Sequence, residues 1–252
     1  MWKNNKDLTK NSKKSLKNQK NRNFFNKISI FLNKYIFPDN FKCIFCGNDI
    51  ANFCDKPYCE NCEKILPFIS KNSCLICSNT IKNEATICDF CQKHPPHFKR
   101  LYSPFRYEGI VKKSVLNYKY DNSRYLAKGY AIILSKLLRN LDIDFITFVP
   151  MSSNEKRYFN HSKFLAEELS KLLKIPCVEL LKKVKNTKEQ KSLTFKERRE
   201  NVKDVFVLNK NIKNKRVLLV DDIATTCSTL DACAEKLKSC VVYAVVIARN
   251  MP

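Results

Sequence analysis

Two groups of residues in this chain have types and spacings that could do chemistry. The first is the string Val217-Leu218-Leu219-Val220-Asp221-Asp222-Ile223-Ala224-Thr225-Thr226-Cys227-Ser228-Thr229. An apolar strand delivers two adjacent carboxylates, Asp221 and Asp222, and a turn formed by Ala224, Thr225, Thr226, Cys227, Ser228 and Thr229 opens a helix. Carboxylates at a strand end accept hydrogen bonds from vicinal ribose hydroxyls, while threonine hydroxyls and the amides of a helix N-terminus surround a phosphate. The bland alternative is that the acids merely cap the helix and the threonines are ordinary turn residues. The complete string favours the sugar-phosphate site.

The second group is a set of four Cys-x-x-Cys pairs: Cys43/Cys46, Cys59/Cys62, Cys74/Cys77 and Cys88/Cys91, with 12 residues between the first two pairs and 10 between the last two. Each such turn sets two thiolates about one tetrahedral edge apart, and two turns together close a four-sulfur shell around one ion. Two structural zinc ions are expected, in successive ribbons. Disulfides and iron–sulfur ligation are the alternatives. Spacing alone leaves open which pairs share an ion. Cys54 is a ninth thiol in this region without a pair, and His94 and His97 read as linker residues.

Elements must position both groups. Arg216–Val220 and Val241–Ile247 are continuous runs of Val, Leu, Ile and Ala, the pattern of strands buried on both faces. Residues 229–238 supply the helix between them. Upstream, 126–141 reads as helix, 145–149 as strand and 161–173 as helix, an alternation that implies a parallel sheet with crossover helices. Segments 101–107 and 111–120 read as a strand and the start of a helical connection. Ligands of such sheets bind outside the carboxyl ends of the strands, where the Asp pair stands.

Nine of the 13 cysteines lie between Cys43 and Cys91, whereas the long apolar runs lie after Phe98. The first region needs staples, and the second can bury a core. The expected organisation is a disordered basic arm over 1–23, an amphipathic helix over 24–40, a double zinc ribbon over 41–97 and an α/β domain over 98–252. The helix is read as packing on the ribbons in preference to lying on a membrane. No apolar leader or bilayer-length apolar run occurs, which points to a cytoplasmic chain, the inner face of the membrane included. The net charge of +23 favours a polyanionic partner, although a merely solvated basic surface is an equal alternative.

These residues resemble the type I phosphoribosyltransferase signature and, more closely, the ComF family, competence-associated proteins that join a double zinc ribbon to such a domain. The likeness runs from about residue 30 to the C-terminus. It includes the apolar helix before Pro38, the four cysteine pairs, Tyr107-Glu108-Gly109, Tyr118-Lys119-Tyr120, Val149-Pro150, Arg157 and Phe159-Asn160. Thr187, Gln190, Leu193, Arg198 and Asn201 also match its spacing. The resemblance implies that Asp221 and Asp222 hold the ribose of phosphoribosyl pyrophosphate, that residues 225–229 wrap its 5′-phosphate, and that Mg²⁺ accompanies the diphosphate. Arg157 and Lys119 are the candidates for the pyrophosphate side.

Three positions depart from the family pattern: Cys227 and Tyr158 stand where glycine is usual, and His161 where glutamine is usual. A side chain at 227 is expected to narrow the phosphate cradle, because glycine there allows close approach and positive φ. An exposed thiol beside a helix N-terminus would be a nucleophile candidate. His161 is expected to be a surface residue, with a general-base role as the alternative. Two functions follow: displacement of pyrophosphate from phosphoribosyl pyrophosphate, or a scaffold in DNA uptake with a degenerate phosphate site. In the second, the ribbons and basic arm contact single-stranded DNA or a competence helicase.

Overall fold

The central strand forms because four consecutive apolar residues, Val217 to Val220, can be buried on two faces at once. In the computed structural model, which describes residues 42–50, 55–81, 85–120, 125–151, 160–185, 202 and 204–250, this strand is the middle of a parallel sheet. In chain order the elements are α1 (Glu60–Glu63), α2 (Asp89–Lys93), β1 (Arg100–Tyr102), β2 (Phe105–Arg106), α3 (Gly109–Tyr120), α4 (Tyr125–Leu137) and β3 (Phe145–Phe148). They continue with α5 (His161–Leu173), β4 (Leu181–Lys183), β5 (Phe206–Leu208), β6 (Arg216–Ala224), α6 (Ser228–Lys236) and β7 (Val241–Arg249). The basic arm, the 24–40 helix, Cys54, Arg157, Tyr158, Phe159 and the family-matching positions from Thr187 to Asn201 lie outside the described residues.

The sheet order is β1-β7-β6-β3, and β2 pairs with β7 beyond β1. Pro104 sits at the break between β1 and β2, on the sheet edge, where a residue without an N–H costs no ladder bond. Strand β6 runs further than the 216–220 expected from its apolar residues. Its register with β7 continues to Ala224 opposite Arg249, so the partner strand carries the Asp pair into the ladder. Helix α4 is shorter than expected, ending at Leu137. The antiparallel pair β4 and β5 was not legible, since three-residue strands are too short to carry a periodic signal.

Alternation along β6 and β7 divides the interior into two cores. Leu218, Val220, Val245 and Ile247 face one that contains residues of α3, α4 and α5. Val217, Leu219, Ala244 and Val246 face the other, which contains residues of α6 together with Leu181 and Phe206. Residues 42–252 form one compact unit, and the cysteine segments take part in both cores. Cys43, Ile44, Phe45 and Leu66 belong to the first, and Cys74, Cys77 and Cys91 to the second.

The two cysteine segments are copies of one design. Cys43 N–H donates to Asn48 C=O and Cys74 N–H to Asn79 C=O, both at 2.7 Å. Gly47 and Ser78 fill equivalent turn positions at φ 78° and 57°. Phe45 anchors the first copy, with its ring edge-on to Phe105 at 5.6 Å and to Tyr130 at 6.4 Å. Ser78 Oγ anchors the second by donating to Leu101 C=O at 2.6 Å.

Candidate functional site

Because β6 stays in the ladder through Ala224, both carboxylates emerge at the carboxyl end of the sheet, in the neighbourhood of α3 and α5. Ser162, in the first turn of α5, donates its hydroxyl to Asp221 at 2.8 Å, and the Asp222 amide donates to the same oxygen at 2.9 Å. Lys119, near the end of α3, forms an ion pair with Asp222 at 2.9 Å, with both side chains largely shielded from water. Burial, and then the neighbouring Asp222 charge, raise the Asp221 carboxyl from its ordinary 3.8 to about 7. The Ser162 hydroxyl and Lys119 act in the opposite direction.

The turn after β6 is closed by Cys227, which adopts φ 63°, ψ 5° and precedes α6. A non-glycine residue in this left-handed region costs roughly 1–2 kcal/mol, and the fold holds it there. The turn that glycine would make is therefore kept. The thiol is buried in the same core as Leu230 and Cys233, and burial pushes it up to about 11. The less favoured alternative of an exposed, activated nucleophile is thus set aside, because desolvation disfavours the thiolate. Cys227 supplies no side-chain cap to α6, while Thr226 Oγ1 and Ser228 Oγ lie 2.9 Å apart in the turn. The Asp231 amide donates to Cys227 C=O at 2.8 Å and starts the helix.

Lys119, which the resemblance put on the pyrophosphate side, is paired with Asp222, and the 224–229 turn follows the Asp pair at the end of β6. Arg157 lies outside the described residues. His161 corrects its expectation: it is buried, and its ring meets the fully buried Tyr118 edge-on at 5.1 Å. The Tyr118 hydroxyl donates to His161 C=O at 2.6 Å. Tyr118 is thus a core residue, whereas Tyr120 and Tyr125 are exposed. His97 is more than a linker residue, since its amide and ring Nδ1 both meet Asp231 Oδ1, at 2.7 and 2.9 Å. Sequence reasoning missed Ser162 and Arg249. A serine two residues after a helix cap and an arginine at the end of an apolar strand carry no signal until the sheet end is assembled.

The cysteines form two separate groups, Cys43/Cys46/Cys59/Cys62 and Cys74/Cys77/Cys88/Cys91, each with all four sulfurs within 4.8 Å of one another. Cys46 and Cys59 Sγ are 3.7 Å apart, as are Cys77 and Cys88 Sγ. A tetrahedron with metal–sulfur bonds of about 2.3 Å has an edge of roughly 3.8 Å, so both groups fit a four-thiolate ion. Consecutive pairs share each centre, which settles the pairing that spacing left open.

Comparison with known proteins agrees with this architecture. Residues 161–250 match the family described as phosphoribosyl transferase domain. Competence protein F of Haemophilus influenzae is 29% identical over 212 residues, covering 79% of this chain and 91% of the relative. Competence protein ComFC of Streptococcus pneumoniae is 25% identical over 206 residues, covering 75% and 90%. DNA utilization protein YhgH of Escherichia coli K12 is 24% identical over 203 residues, covering 71% and 89%. Two four-cysteine groups thus stand ahead of a parallel sheet whose C-terminal part matches a phosphoribosyl transferase family model, and the chain is similar to named competence proteins over most of their length.

Proposed function

We propose that the chain binds phosphoribosyl pyrophosphate or a related ribose phosphate at the carboxyl end of β6, in the service of DNA uptake. The observation that carries this reading is the joint placement of Asp221, Asp222, Lys119 and Ser162 beside a turn of hydroxyls that opens α6. Asp221 and Asp222 accept hydrogen bonds from the ribose hydroxyls. The hydroxyls of residues 225, 226, 228 and 229, with the first amides of α6, receive the 5′-phosphate. A ribose that takes over Asp222 releases Lys119, whose ammonium then balances the diphosphate. Mg²⁺ bound with the diphosphate would neutralise part of its charge and assist its departure. Zinc held by Cys43, Cys46, Cys59 and Cys62, and by Cys74, Cys77, Cys88 and Cys91, would add folding free energy to segments with little core of their own.

Calorimetry of phosphoribosyl pyrophosphate with and without Mg²⁺ tests this. The wild-type chain is expected to bind, and the double variant Asp221→Asn, Asp222→Asn to lose at least about 100-fold in affinity, since hydrogen bonds to charged groups contribute roughly 1.5–3 kcal/mol each. Unchanged affinity would put the ligand elsewhere.

The net charge of +23 favours a second reading, in which the chain is a DNA-contacting scaffold. Its lysines would bind single-stranded DNA through phosphates, so affinity should fall linearly with salt on logarithmic axes. DNA association that is absent or insensitive to salt removes this reading.

A further inference from the structure

Arg249, at the end of β7, is a buried charged residue whose hydrogen bonds among the described residues go to main-chain carbonyls. Its Nε donates to Cys77 C=O at 3.0 Å, and its Nη1 donates to Ala224 C=O at 2.9 Å and to Asn250 C=O at 3.1 Å. Cys77 belongs to the second four-cysteine centre, and Ala224 is the last residue of β6 before the hydroxyl turn. A guanidinium spans two such carbonyls because its donors are fixed in a planar fork. The Asn250 amide adds a bond to the same Ala224 oxygen at 2.8 Å.

A second tether reaches the far side of the turn. His97, a few residues beyond the centre, binds Asp231 in the first turn of α6 through its amide and ring. Between the tethers, Cys227 packs in the same core as Cys74, Cys77 and Cys91. Both ends of the turn are therefore fastened to the second cysteine segment. The first segment is fastened instead to α3 and α4, through Ser114 to Ile44 C=O at 2.6 Å and Lys136 to Asp55 Oδ1 at 2.8 Å.

We propose that Arg249 is a positioning residue that transmits the geometry of the second four-cysteine centre to the 224–229 turn, so that the phosphate cradle takes its shape from that centre and not from the first. The ligand arm of this inference rests on the sugar-phosphate reading above. Its structural arm does not. A left-handed Cys227 is a strained conformation that surrounding contacts must impose, and the Arg249 fork and the His97 pair are the contacts that flank it.

The experiment is amide hydrogen exchange on the full-length, zinc-reconstituted chain without ligand, combined with zinc content and calorimetry of phosphoribosyl pyrophosphate. Arg249→Gln and Cys88→Ser are each expected to speed exchange of the 225–229 amides at least about ten-fold, and Arg249→Gln to do so with β6 amides 217–220 changing less than about two-fold. Arg249→Gln should keep two zinc ions per chain and lose about ten-fold in affinity. Lys136→Ala, which cuts a tether of the first segment, should leave exchange in the turn unchanged. If Arg249→Gln does not fold, Arg249→Lys, which keeps the charge but loses the fork, is held to the same criteria. Unchanged exchange in the turn, or an equal rise in the turn and throughout β6, overturns the inference. A wild-type chain that binds no sugar phosphate refutes the functional reading instead, and the exchange result still decides this one.

Discussion

On the proposed sugar-phosphate reading, Asp221 carries a proton-linked conflict between folding and ligand binding. Its carboxyl is raised from 3.8 to about 7, so between those pH values the folded chain holds a proton that the unfolded chain has released. The stability associated with this group is full below about pH 4 and is lost as pH rises to about 7. Asp221→Asn keeps an oxygen to accept from Ser162 and removes the titration, so it should stabilise the chain by roughly 1–3 kcal/mol at pH 8 and far less at pH 5. Denaturant unfolding at the two pH values checks this. Affinity for the sugar phosphate should rise between pH 6 and pH 8, because the ionised carboxylate is the better acceptor for ribose hydroxyls. Calorimetry across that range that shows no pH dependence would remove Asp221 from the ligand's contacts. At Cys227, the left-handed backbone lets a non-glycine residue occupy the turn while its thiol is buried in the core.

At the scale of elements, helix α5 connects the sheet to the site. Asn160 caps it by accepting from the Lys163 amide at 3.1 Å, and the Asn160 side-chain amide donates to Val149 C=O at 3.0 Å. The cap therefore sets the helix direction relative to the end of β3, and with it the reach of Ser162 to Asp221. Asn160→Ala should cost about 1–2 kcal/mol, the usual loss of a cap plus that of a neutral hydrogen bond. It should also weaken ligand binding by more than an exposed control on the same helix, such as Lys171→Ala. Urea denaturation measures the first and calorimetry the second. The other end of α5 stops at Lys174 in the left-handed conformation. Both boundaries agree with the 161–173 helix read from sequence, since a capping Asn and an apolar stripe act locally.

Across the whole molecule, the paired cysteine segments contribute to cores on opposite faces of one sheet. Metal release should expose both faces, and the purified chain is expected to yield two zinc ions. A thiol-modifying reagent with a colorimetric zinc indicator counts them, and thermal melting before and after chelation should show a large fall in transition temperature. A single ion would mean that one four-cysteine group is not a metal centre. The wide lattice of contacts between these segments and the sheet explains why cysteine spacing, a local property, has consequences at a site far along the chain.

From the amino-acid sequence come the parallel α/β class, the four Cys-x-x-Cys pairs, and the Asp-Asp pair with its hydroxyl turn. Each is legible because periodicity, ligand spacing and turn chemistry act over a few neighbouring residues. Only the tertiary structure decided that consecutive cysteine pairs share a centre, that β6 extends to Ala224, that His161 and Cys227 are buried, and that Ser162, Arg249 and His97 converge on the turn. Those facts depend on contacts between residues as much as 172 positions apart, as Arg249 and Cys77 are. The energy of such contacts is set by which faces the folded sheet brings together, which no local pattern encodes.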